Sequence, residues 1–347
     1  MYGLKSCCMK KEHLTIEKID RLTSEAVQIT FDIPQNLLEA YQYQAGQYVS
    51  LATEIQGEAI RRSYSICSAP YENRLSVGIK AIPDGVFSNH AQSLAAGNVL
   101  EVGVPEGRFL YQKESQDQVG IAAGSGITPI MSILKTHLEN SEENRFTLIY
   151  GNKSPEKTLF YDELTALEQQ YSGRLNIHWI FSQSSESQAG FGRIDTGFLK
   201  NKLKDLPAQP AYLCGPEALI QLSQECLQDM GFASDQILFE LFFSSSTAET
   251  VAGEAGEGSL EIICDGETHQ LTLAGESILD AALKHKIDVP YSCQGGVCSS
   301  CIAKVTEGKA RMEANQILTD GEVADGLVLT CQAYAETSKI VVDYDDV

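Results

Sequence analysis

Four cysteines in the last fifth of this 347-residue chain constrain its fold more than any other feature. Cys293, Cys298 and Cys301 are separated by four and then by two residues, whereas Cys331 follows only after a further 29 residues. A short loop therefore presents three thiols, and a distant segment must fold back to supply the fourth. Four thiols brought together in this way are suited to binding zinc or iron, because thiolates are strong ligands for both metals.

The spacing of these cysteines is that of plant-type [2Fe–2S] clusters, in which four thiolates hold two bridged irons. Gly295 and Gly296 let the loop bend and bring backbone N–H groups towards the sulfides. The alternative is a structural zinc site, which usually has two Cys-x2-Cys pairs where this sequence has one. We therefore predict a [2Fe–2S] cluster with the ligands Cys293, Cys298, Cys301 and Cys331.

Cysteine usage and charge bear on location and partners. The chain has ten cysteines, but their uneven placement favours metal ligation in a reducing compartment over a disulfide framework. A formal net charge of −21 argues against nucleic acid as a partner and favours docking on a basic protein. No apolar run approaches the roughly 18 residues of a transmembrane helix, and residues 1–12 lack the apolar core of a secretory signal. The expected location is the cytoplasm, with no membrane partner.

The spacing of apolar residues changes once along the chain. From residue 14 to about residue 112 they alternate with polar residues, as at Val27, Ile29 and Phe31. Such alternation, with Gly, Pro and Asn between the runs, predicts an antiparallel β-barrel. From Val119 on, strand-like runs alternate with helical stretches, which predicts an α/β domain with a parallel sheet. Its predicted strands are 119–122, 146–150, 177–181 and 211–214.

Helix and linker signals divide the rest of the chain. Thr128 is expected to cap the first helix of the α/β part, and a second helix is expected over 216–230. Residues 244–258 are small, polar and acidic, which predicts a flexible linker. A third domain follows, with strands at 260–264 and 270–273 and a helix capped by Ser277. The predicted domains are 1–113, 114–243 and 259–347.

A cation, an aromatic ring and a hydroxyl lie close together in the barrel at Arg62, Tyr64 and Ser65. Alternation puts Arg62 and Tyr64 on one face, where a guanidinium can hold a flavin phosphate and the ring can pack on the flavin. Lys80 and the turn from Gly85 to Ser88 are suited to a pyrophosphate, which favours FAD over FMN. The alternatives are an ordinary exposed strand face and a simple turn.

Two turns at the carboxyl ends of predicted parallel strands are typical of dinucleotide binding. Gly124-Ser-Gly126-Ile-Thr128-Pro129 follows the first strand and opens a helix, whose N-terminus favours negative charge. Cys214-Gly215-Pro216 follows the last strand, at the edge where open α/β sheets bind ligands. Cys214 is a candidate neighbour of the nicotinamide ring. A packing turn and a buried structural cysteine are the alternatives.

Taken in this order, the motifs resemble the ferredoxin–NADP reductase superfamily, in the branch with a C-terminal plant-type ferredoxin domain. The resemblance covers nearly the whole chain. It implies a multidomain fold with an antiparallel β-barrel flavin domain, an α/β parallel-sheet nicotinamide domain and an α+β β-grasp ferredoxin domain. Longer segments are similar to the family of phenylacetyl-CoA epoxidase reductase components: EAYQY at 39–43, RRSYSIC at 61–67, FTLIYGN at 146–152, ESILDAA at 276–282 and VVDY at 341–344.

The resemblance implies an electron relay: NADPH reduces FAD, and the [2Fe–2S] cluster passes single electrons to a di-iron oxygenase subunit complex that acts on phenylacetyl-CoA. It implies that Ser65, Cys214 and Glu240 are the catalytic residues. The flavin contacts that it implies are Arg62, Tyr64, Ser65, Lys80, Gly85, Ser88 and Thr128. On the nicotinamide side it implies Gly126, Pro129, Cys214 and Gly215, with Glu240 and Phe242 approaching either ring.

Two positions depart from the family pattern and bear on the choice of nicotinamide. Lys153 stands where the family often has Arg. Gln183 stands where many NADP-specific relatives have the Arg that binds the 2′-phosphate. Lys153 can still pair with that phosphate, so NADPH is expected over NADH.

Two other functions remain open. One keeps the same chemistry but serves a Rieske oxygenase, a desaturase or a nitrosative-stress protein, because these reductases share the motifs. The other is a redox sensor that nicotinamide reduces without turnover. Flavin links a two-electron donor to a one-electron acceptor, so the relay needs no triad of general acid, base and nucleophile.

Overall fold

The computed structural model of the chain describes residues 11–113, 117–242, 257–291 and 293–347. These residues form two compact units: one is Glu12–Phe242, and the other is the described part after Phe242 together with Lys11. The predicted linker, 244–258, lies outside the described residues as far as residue 256. Residues 257 and 258 belong to a strand, so the third domain includes two residues that the sequence pattern assigned to the linker.

The predicted barrel is a sheet of six strands. They are β1 Lys11–Thr23, β2 Ala26–Asp32, β3 Tyr48–Ile55, β4 Glu58–Ser65, β5 Leu75–Lys80 and β6 Val99–Gly103, with a short helix, α1 Val86–Ala91, after β5. The order across the sheet is β4-β3-β6-β1-β2-β5, and the strand pairs described run antiparallel. A further bridge joins Ile66 to Val77, so the two edge strands meet. The antiparallel prediction is confirmed.

The α/β part has a parallel sheet with helices between its strands. The strands are β7 Asp117–Ala123, β8 Arg145–Asn152, β9 Leu175–Phe181, β10 Gly190–Phe191, β11 Ala211–Gly215 and β12 Ile237–Leu241, and the helices are α2 Ile127–Asn140, α3 Tyr161–Gln170, α4 Thr196–Leu203 and α5 Glu217–Asp229. The strand order is β10-β9-β8-β7-β11-β12. Because the chain order reverses between β7 and β11, the carboxyl ends of these two strands border a crevice of the kind that binds ligands.

The first helix begins differently from the prediction. A 3₁₀ turn, Gly124–Gly126, runs directly into α2, so Gly126 occupies the cap position and Thr128 lies within the first turn. The Thr128 hydroxyl donates to the Ser125 carbonyl at 3.1 Å, and no side chain caps the helix. Thr128 as the capping residue was therefore wrong. The second predicted helix is confirmed as α5.

The barrel and the α/β part share one hydrophobic core within their unit. Ala26, Ala45, Cys67 and Phe109 of the barrel pack into the same buried cluster as the apolar face of α2. Polar residues of β2 are buried as well, and the Thr30 and Ser76 hydroxyls bond to each other at 2.8 Å. Side chains on both faces of β2 are therefore buried.

The second unit is a mixed sheet packed on a helix. Its strands are β13 Glu257–Cys264, β14 Glu267–Ala274, β15 Ile302–Glu307, β16 Ala310–Met312, β17 Leu327–Leu329, β18 Ala333–Ala335 and β19 Lys339–Asp343, and its helices are α6 Ile278–Lys284 and α7 Asp320–Ala324. The main sheet has the order β14-β13-β19-β15-β17, in which only β13 and β19 pair in parallel. Ser277 caps α6 by accepting from the Asp280 N–H, as predicted.

Candidate active site and metal centre

Strand β4 carries the residues proposed for the flavin. Its alternation puts Arg62 and Tyr64 on one face, and the Tyr64 ring lies 5.5 Å from the Phe87 ring of α1. Burial raises the pKa of the Tyr64 phenol, so the ring offers a neutral, largely apolar surface. Arg62 donates to the Arg61 carbonyl at 2.7 Å, and Ser65 ends the strand as a buried hydroxyl.

The turn after β5 is closed on itself. The Ser88 hydroxyl lies 3.4 Å from both the Ile82 N–H and the Gly85 carbonyl. A Cβ at Gly85 would meet Ser88 Oγ and the Ile82 side chain, so a larger residue there would displace both side chains. The structure thus brings Gly85 and Ser88 together at the start of α1, as the flavin hypothesis requires.

Three lysines from the two parts of the first unit face one region. Burial lowers the pKa of the Lys80 ammonium, Glu25 opposes this, and the positive charges of Lys153 and Lys157 lower it further. Lys80 ends β5, whereas Lys153 directly follows β8 and Lys157 lies in the next turn. Cations held near one another in this way favour an anionic ligand.

The glycine turn after β7 is pressed against the end of β11. A Cβ at Gly126 would collide with the Cys214 carbonyl, so the backbones approach as closely as glycine allows. Gly124 has a φ of +57°, a conformation that glycine adopts without strain. The buried Tyr150 hydroxyl donates to the Gly124 carbonyl at 2.8 Å and holds the turn in place. The sequence analysis missed this role of Tyr150; a tyrosine ending a predicted core strand was the available signal.

Ser65, Cys214 and Glu240 come together from the barrel and two strands of the parallel sheet. Ser65 Oγ donates to Glu240 Oε2 at 2.8 Å, and Glu240 pairs with Cys214 in the β11–β12 register. Removal from water raises the pKa of Glu240 from 4.5 to about 7, against the lowering effect of the Ser65 hydrogen bond. Burial, and then the Glu240 charge, raise the pKa of Cys214. Cys214 is therefore a neutral thiol beside a carboxyl that titrates near neutrality.

The remaining predicted residues border the same crevice or lie at its edge. Pro129 is in the first turn of α2, next to Thr128, and both are buried. Gly215 ends β11, one residue before the N-cap of α5. Phe242 directly follows β12 and is 40% exposed.

The four cysteines of the second unit are neighbours. Hydrogen bonds from Cys298 and Cys331 lower the pKa of Cys293, and Cys301 bonds with Cys331 in the same way. Three thiols come from the loop between α6 and β15, and the fourth follows β17. Two stay partly exposed, Cys293 and Cys298, and two are buried, Cys301 and Cys331.

The cluster loop has the backbone that the prediction requires. The Gly295 N–H donates to Cys293 Sγ at 3.4 Å. Gly296 has a φ of +74°, and a Cβ there would lie 2.8 Å from the Ala314 carbonyl oxygen. In the described ranges no three His, Cys, Asp or Glu side chains close around a single metal-ion position. A [2Fe–2S] cluster needs four thiolates, and the residues that would hold it here are Cys293, Cys298, Cys301 and Cys331.

Family models match three consecutive parts of the chain. The oxidoreductase FAD-binding domain matches residues 13–111, the oxidoreductase NAD-binding domain 121–225 and the 2Fe-2S iron-sulfur cluster binding domain 262–336. These domains define an oxidoreductase whose cofactors are FAD, a [2Fe–2S] cluster and a pyridine nucleotide. No helix in the described ranges is long and apolar enough to cross a membrane.

Curated relatives match over almost their full length. The chain is 40% identical to a subunit of the 1,2-phenylacetyl-CoA epoxidase of Escherichia coli, over 96% of this chain and 97% of that protein. It is 31% identical to the 3-ketosteroid-9-alpha-monooxygenase ferredoxin reductase component of Rhodococcus rhodochrous, over 95% of this chain and 96% of that protein. The solved structure of phthalate dioxygenase reductase superposes with a TM-score of 0.63 at 25% identity, covering 96% of this chain and 98% of that one. The chain belongs to the family of oxygenase reductase components that includes this subunit of phenylacetyl-CoA epoxidase.

Proposed function

We propose that this chain takes hydride from NADPH and delivers single electrons through its cluster to a di-iron oxygenase that acts on phenylacetyl-CoA. The observation that carries the choice of partner is the 40% identity, along nearly the whole chain, to a subunit of 1,2-phenylacetyl-CoA epoxidase. The 31% identity to a 3-ketosteroid-9-alpha-monooxygenase reductase component makes a different monooxygenase the second candidate. The cytoplasmic location expected from the sequence stays a prediction.

The barrel residues fit a flavin dinucleotide. Arg62 and Tyr64 offer a cation and a ring on one face of β4, and the Ser88 hydroxyl lies 3.4 Å from the Gly85 carbonyl in the first turn of α1. We assign the pyrophosphate to Lys80, Gly85 and Ser88, and the isoalloxazine side to Tyr64 and Ser65. Bound FAD supplies the conversion between a two-electron donor and a one-electron acceptor.

The crevice between β7 and β11 is assigned to the nicotinamide. Gly124 and Gly126 let the backbone approach the dinucleotide, and the N-terminus of α2, with Thr128 and Pro129, favours its negative charge. Cys214 and Gly215 then form the wall opposite that turn. Lys153 stands at the carboxyl end of β8 with Lys157 nearby, where a 2′-phosphate would find positive charge.

Ser65 and Glu240 are assigned to the place where the two rings meet. Ser65 ends the flavin strand, and Glu240 lies beside Cys214 on the nicotinamide side, so their hydrogen bond joins the two sites. With a pKa of about 7, Glu240 can hold or release a proton at neutral pH. The neutral Cys214 thiol adds bulk without negative charge next to the hydride path.

Anaerobic titration with NADPH, and separately with NADH, tests the relay. Flavin bleaching followed by the EPR signal of a reduced [2Fe–2S] cluster is the expected result, at a lower concentration of NADPH than of NADH. Bleaching without the EPR signal would rule out the proposed path to the cluster. Slow reduction that stays the same when oxygenase subunits are added would favour a redox sensor.

Reconstitution tests the partner. Purified oxygenase subunits of a phenylacetyl-CoA epoxidase should make NADPH oxidation by this chain depend on phenylacetyl-CoA. A 3-ketosteroid monooxygenase oxygenase component with its own substrate is the matched comparison. Faster coupled oxidation with the ketosteroid system would replace the first candidate by the second.

A further inference from the structure

Helix α2 touches the barrel along one face, beginning close to its N-terminus. A Cβ added at Gly78 of β5 would lie 2.7 Å from Thr128 Cγ2, so β5 and the first turn of α2 are in direct contact. One turn later, the buried Ser132 hydroxyl donates to the Ser68 carbonyl at 2.6 Å. Positions 128, 132 and 135 share one face of the helix. The contact along this face therefore continues to Lys135.

Lys135 is the charged member of this face. Its side chain is only 3% exposed, and its Nζ lies 2.6 Å from Glu163 Oε1 on α3 and 3.4 Å from Glu72 Oε1 on the barrel. A buried ammonium is stable only where carboxylates or other acceptors reach it. Lys135 thus ties the barrel to two helices of the α/β domain at one point.

Glu72 shapes the segment that follows the flavin strand. Its Oε2 accepts from the Ala69 N–H at 2.6 Å, which closes the short turn after residue 68. Residues 66–68 connect β4, which ends at Ser65, to that turn. Glu72 therefore connects Lys135 to the segment that continues from the strand carrying Tyr64 and Ser65.

The other end of α2 begins at the proposed nicotinamide turn. The helix starts at Ile127, directly after Gly124–Gly126. At about 1.5 Å per residue, Lys135 lies roughly 12 Å along the axis from that start, and its side chain is only 3% exposed between Glu72 and Glu163. Lys135 can act on the reaction only through the position of the elements that it joins.

We propose that Lys135, supported by Ser132, is a positioning residue that sets the spacing between the flavin strand and the nicotinamide turn. This inference rests on the proposed hydride path. A displacement of about 1 Å between reacting groups can slow a reaction about 100-fold, so the contact controls the rate of hydride transfer. Because Lys135 is enclosed by Glu72 and Glu163, cofactor affinity depends on it much less.

The test uses Lys135→Met in the full-length protein, with Lys200→Met as the matched control. Lys200 pairs with Asp229 on an exposed surface, with side chains 49% and 69% exposed. With saturating NADPH, flavin bleaching in Lys135→Met is expected to be about 10- to 100-fold slower than in the wild type. The NADPH concentration at half-maximal rate should stay within about twofold of the wild type, because the nicotinamide contacts are intact. Lys135→Arg, which keeps the cation, should recover most of the rate.

A second measurement does not depend on turnover. In the full-length protein without added nicotinamide, the backbone amides of residues 68, 69, 71 and 72 should exchange hydrogen faster in Lys135→Met than in the wild type or in Lys200→Met. If Lys135→Met does not fold, Ser132→Ala removes the neighbouring hydrogen bond without leaving a charge unpaired. Ser132→Ala should also slow flavin bleaching, but by a smaller factor than Lys135→Met.

Two outcomes would overturn the inference. One is a Lys135→Met protein that melts at a lower temperature but bleaches at the wild-type rate, which would make Lys135 purely structural. The other is an equal loss of rate in Lys135→Met and Lys135→Arg without faster exchange at 68–72. Failure of the wild-type flavin to bleach with either nicotinamide would instead overturn the proposed hydride path itself.

Discussion

The two candidate sites differ in how far apart their residues lie in the chain. All four cluster cysteines belong to the second unit, and three of them share one loop. Ser65 and Glu240, in contrast, bond at 2.8 Å although they are 175 positions apart. A site built in one loop leaves a diagnostic spacing in the sequence, whereas a site built across a sheet leaves single residues that only the fold brings together.

The two sites also differ in what perturbs their titrating groups. Hydrogen bonds with neighbouring thiols are the main cause of the pKa shifts of Cys293 and Cys301, as expected where side chains share a ligand site. At the proposed hydride site, removal from water is the main cause of the raised pKa of both Glu240 and Cys214. The first site is defined by its donor set, and the second by its enclosure between barrel and sheet.

The largest expected effect separates the two sites completely. Cys331→Ser should abolish the [2Fe–2S] EPR signal, because a hydroxyl does not replace the fourth thiolate, while NADPH still bleaches the flavin in the other unit. Cys264→Ser is the control, since Cys264 is buried in the same unit but outside the loop. Loss of flavin bleaching in Cys331→Ser alone would show that the two sites are not separable.

The next effect concerns the choice of nicotinamide. Lys153→Gln should lower kcat/KM for NADPH about tenfold and leave that for NADH unchanged, because a charge-assisted contact contributes about 1.5 kcal/mol. Steady-state reduction of a one-electron acceptor with each nicotinamide measures it, with Lys200→Gln as the surface control. Equal losses with both nicotinamides would remove Lys153 from the 2′-phosphate site.

Glu240 should make the stability of the first unit depend on pH. Its folded pKa of about 7 lies above the ordinary 4.5, so between these values the native state holds a proton that the unfolded chain has lost. The contribution of Glu240 to stability is therefore fully present below about pH 4.5 and is lost as the pH rises through 7. Because Glu240 is half-buried in the structure, water screens part of this effect, and the loss relative to Glu240→Gln should be about 1–2 kcal/mol.

The fluorescence of Trp179, the only tryptophan, reports this unfolding in urea. The comparison is between wild type and Glu240→Gln, each in flavin-free form, at pH 5 and pH 8. A gap between the two proteins that does not change with pH would contradict the raised pKa.

The smallest effect tests the support of the glycine turn. Tyr150→Phe removes the 2.8 Å hydrogen bond to the Gly124 carbonyl and should cost about 1 kcal/mol of stability. KM for the nicotinamide should rise, since the turn loses its anchor. Tyr171→Phe, which removes a 2.9 Å bond to Glu139 elsewhere in the domain, should lower stability without changing KM. A KM change in both variants would mean that the effect is not local to the turn.

Sequence patterns predicted the elements well where one physical signal dominated. The four predicted parallel strands are present because buried strands require continuous apolar runs. The short strands β10 and β12 were not predicted, since a two-residue strand and a five-residue run of mostly half-buried side chains carry little periodic signal. Thr128 was misplaced as a cap because the 3₁₀ turn before α2 starts the helix at a glycine.

The sequence by itself determined the cluster, since its ligands must occupy one loop and one distant turn that folds back to it, and the spacing of the cysteines shows that requirement. It also determined the three-domain order, because apolar periodicity follows directly from which side of a strand or helix is buried. Only the tertiary structure decided that Ser65 meets Glu240 and that Lys135 is enclosed between Glu72 and Glu163. Those contacts arise from the packing of the barrel on the parallel sheet, and desolvation there depends on neighbours that no local pattern specifies.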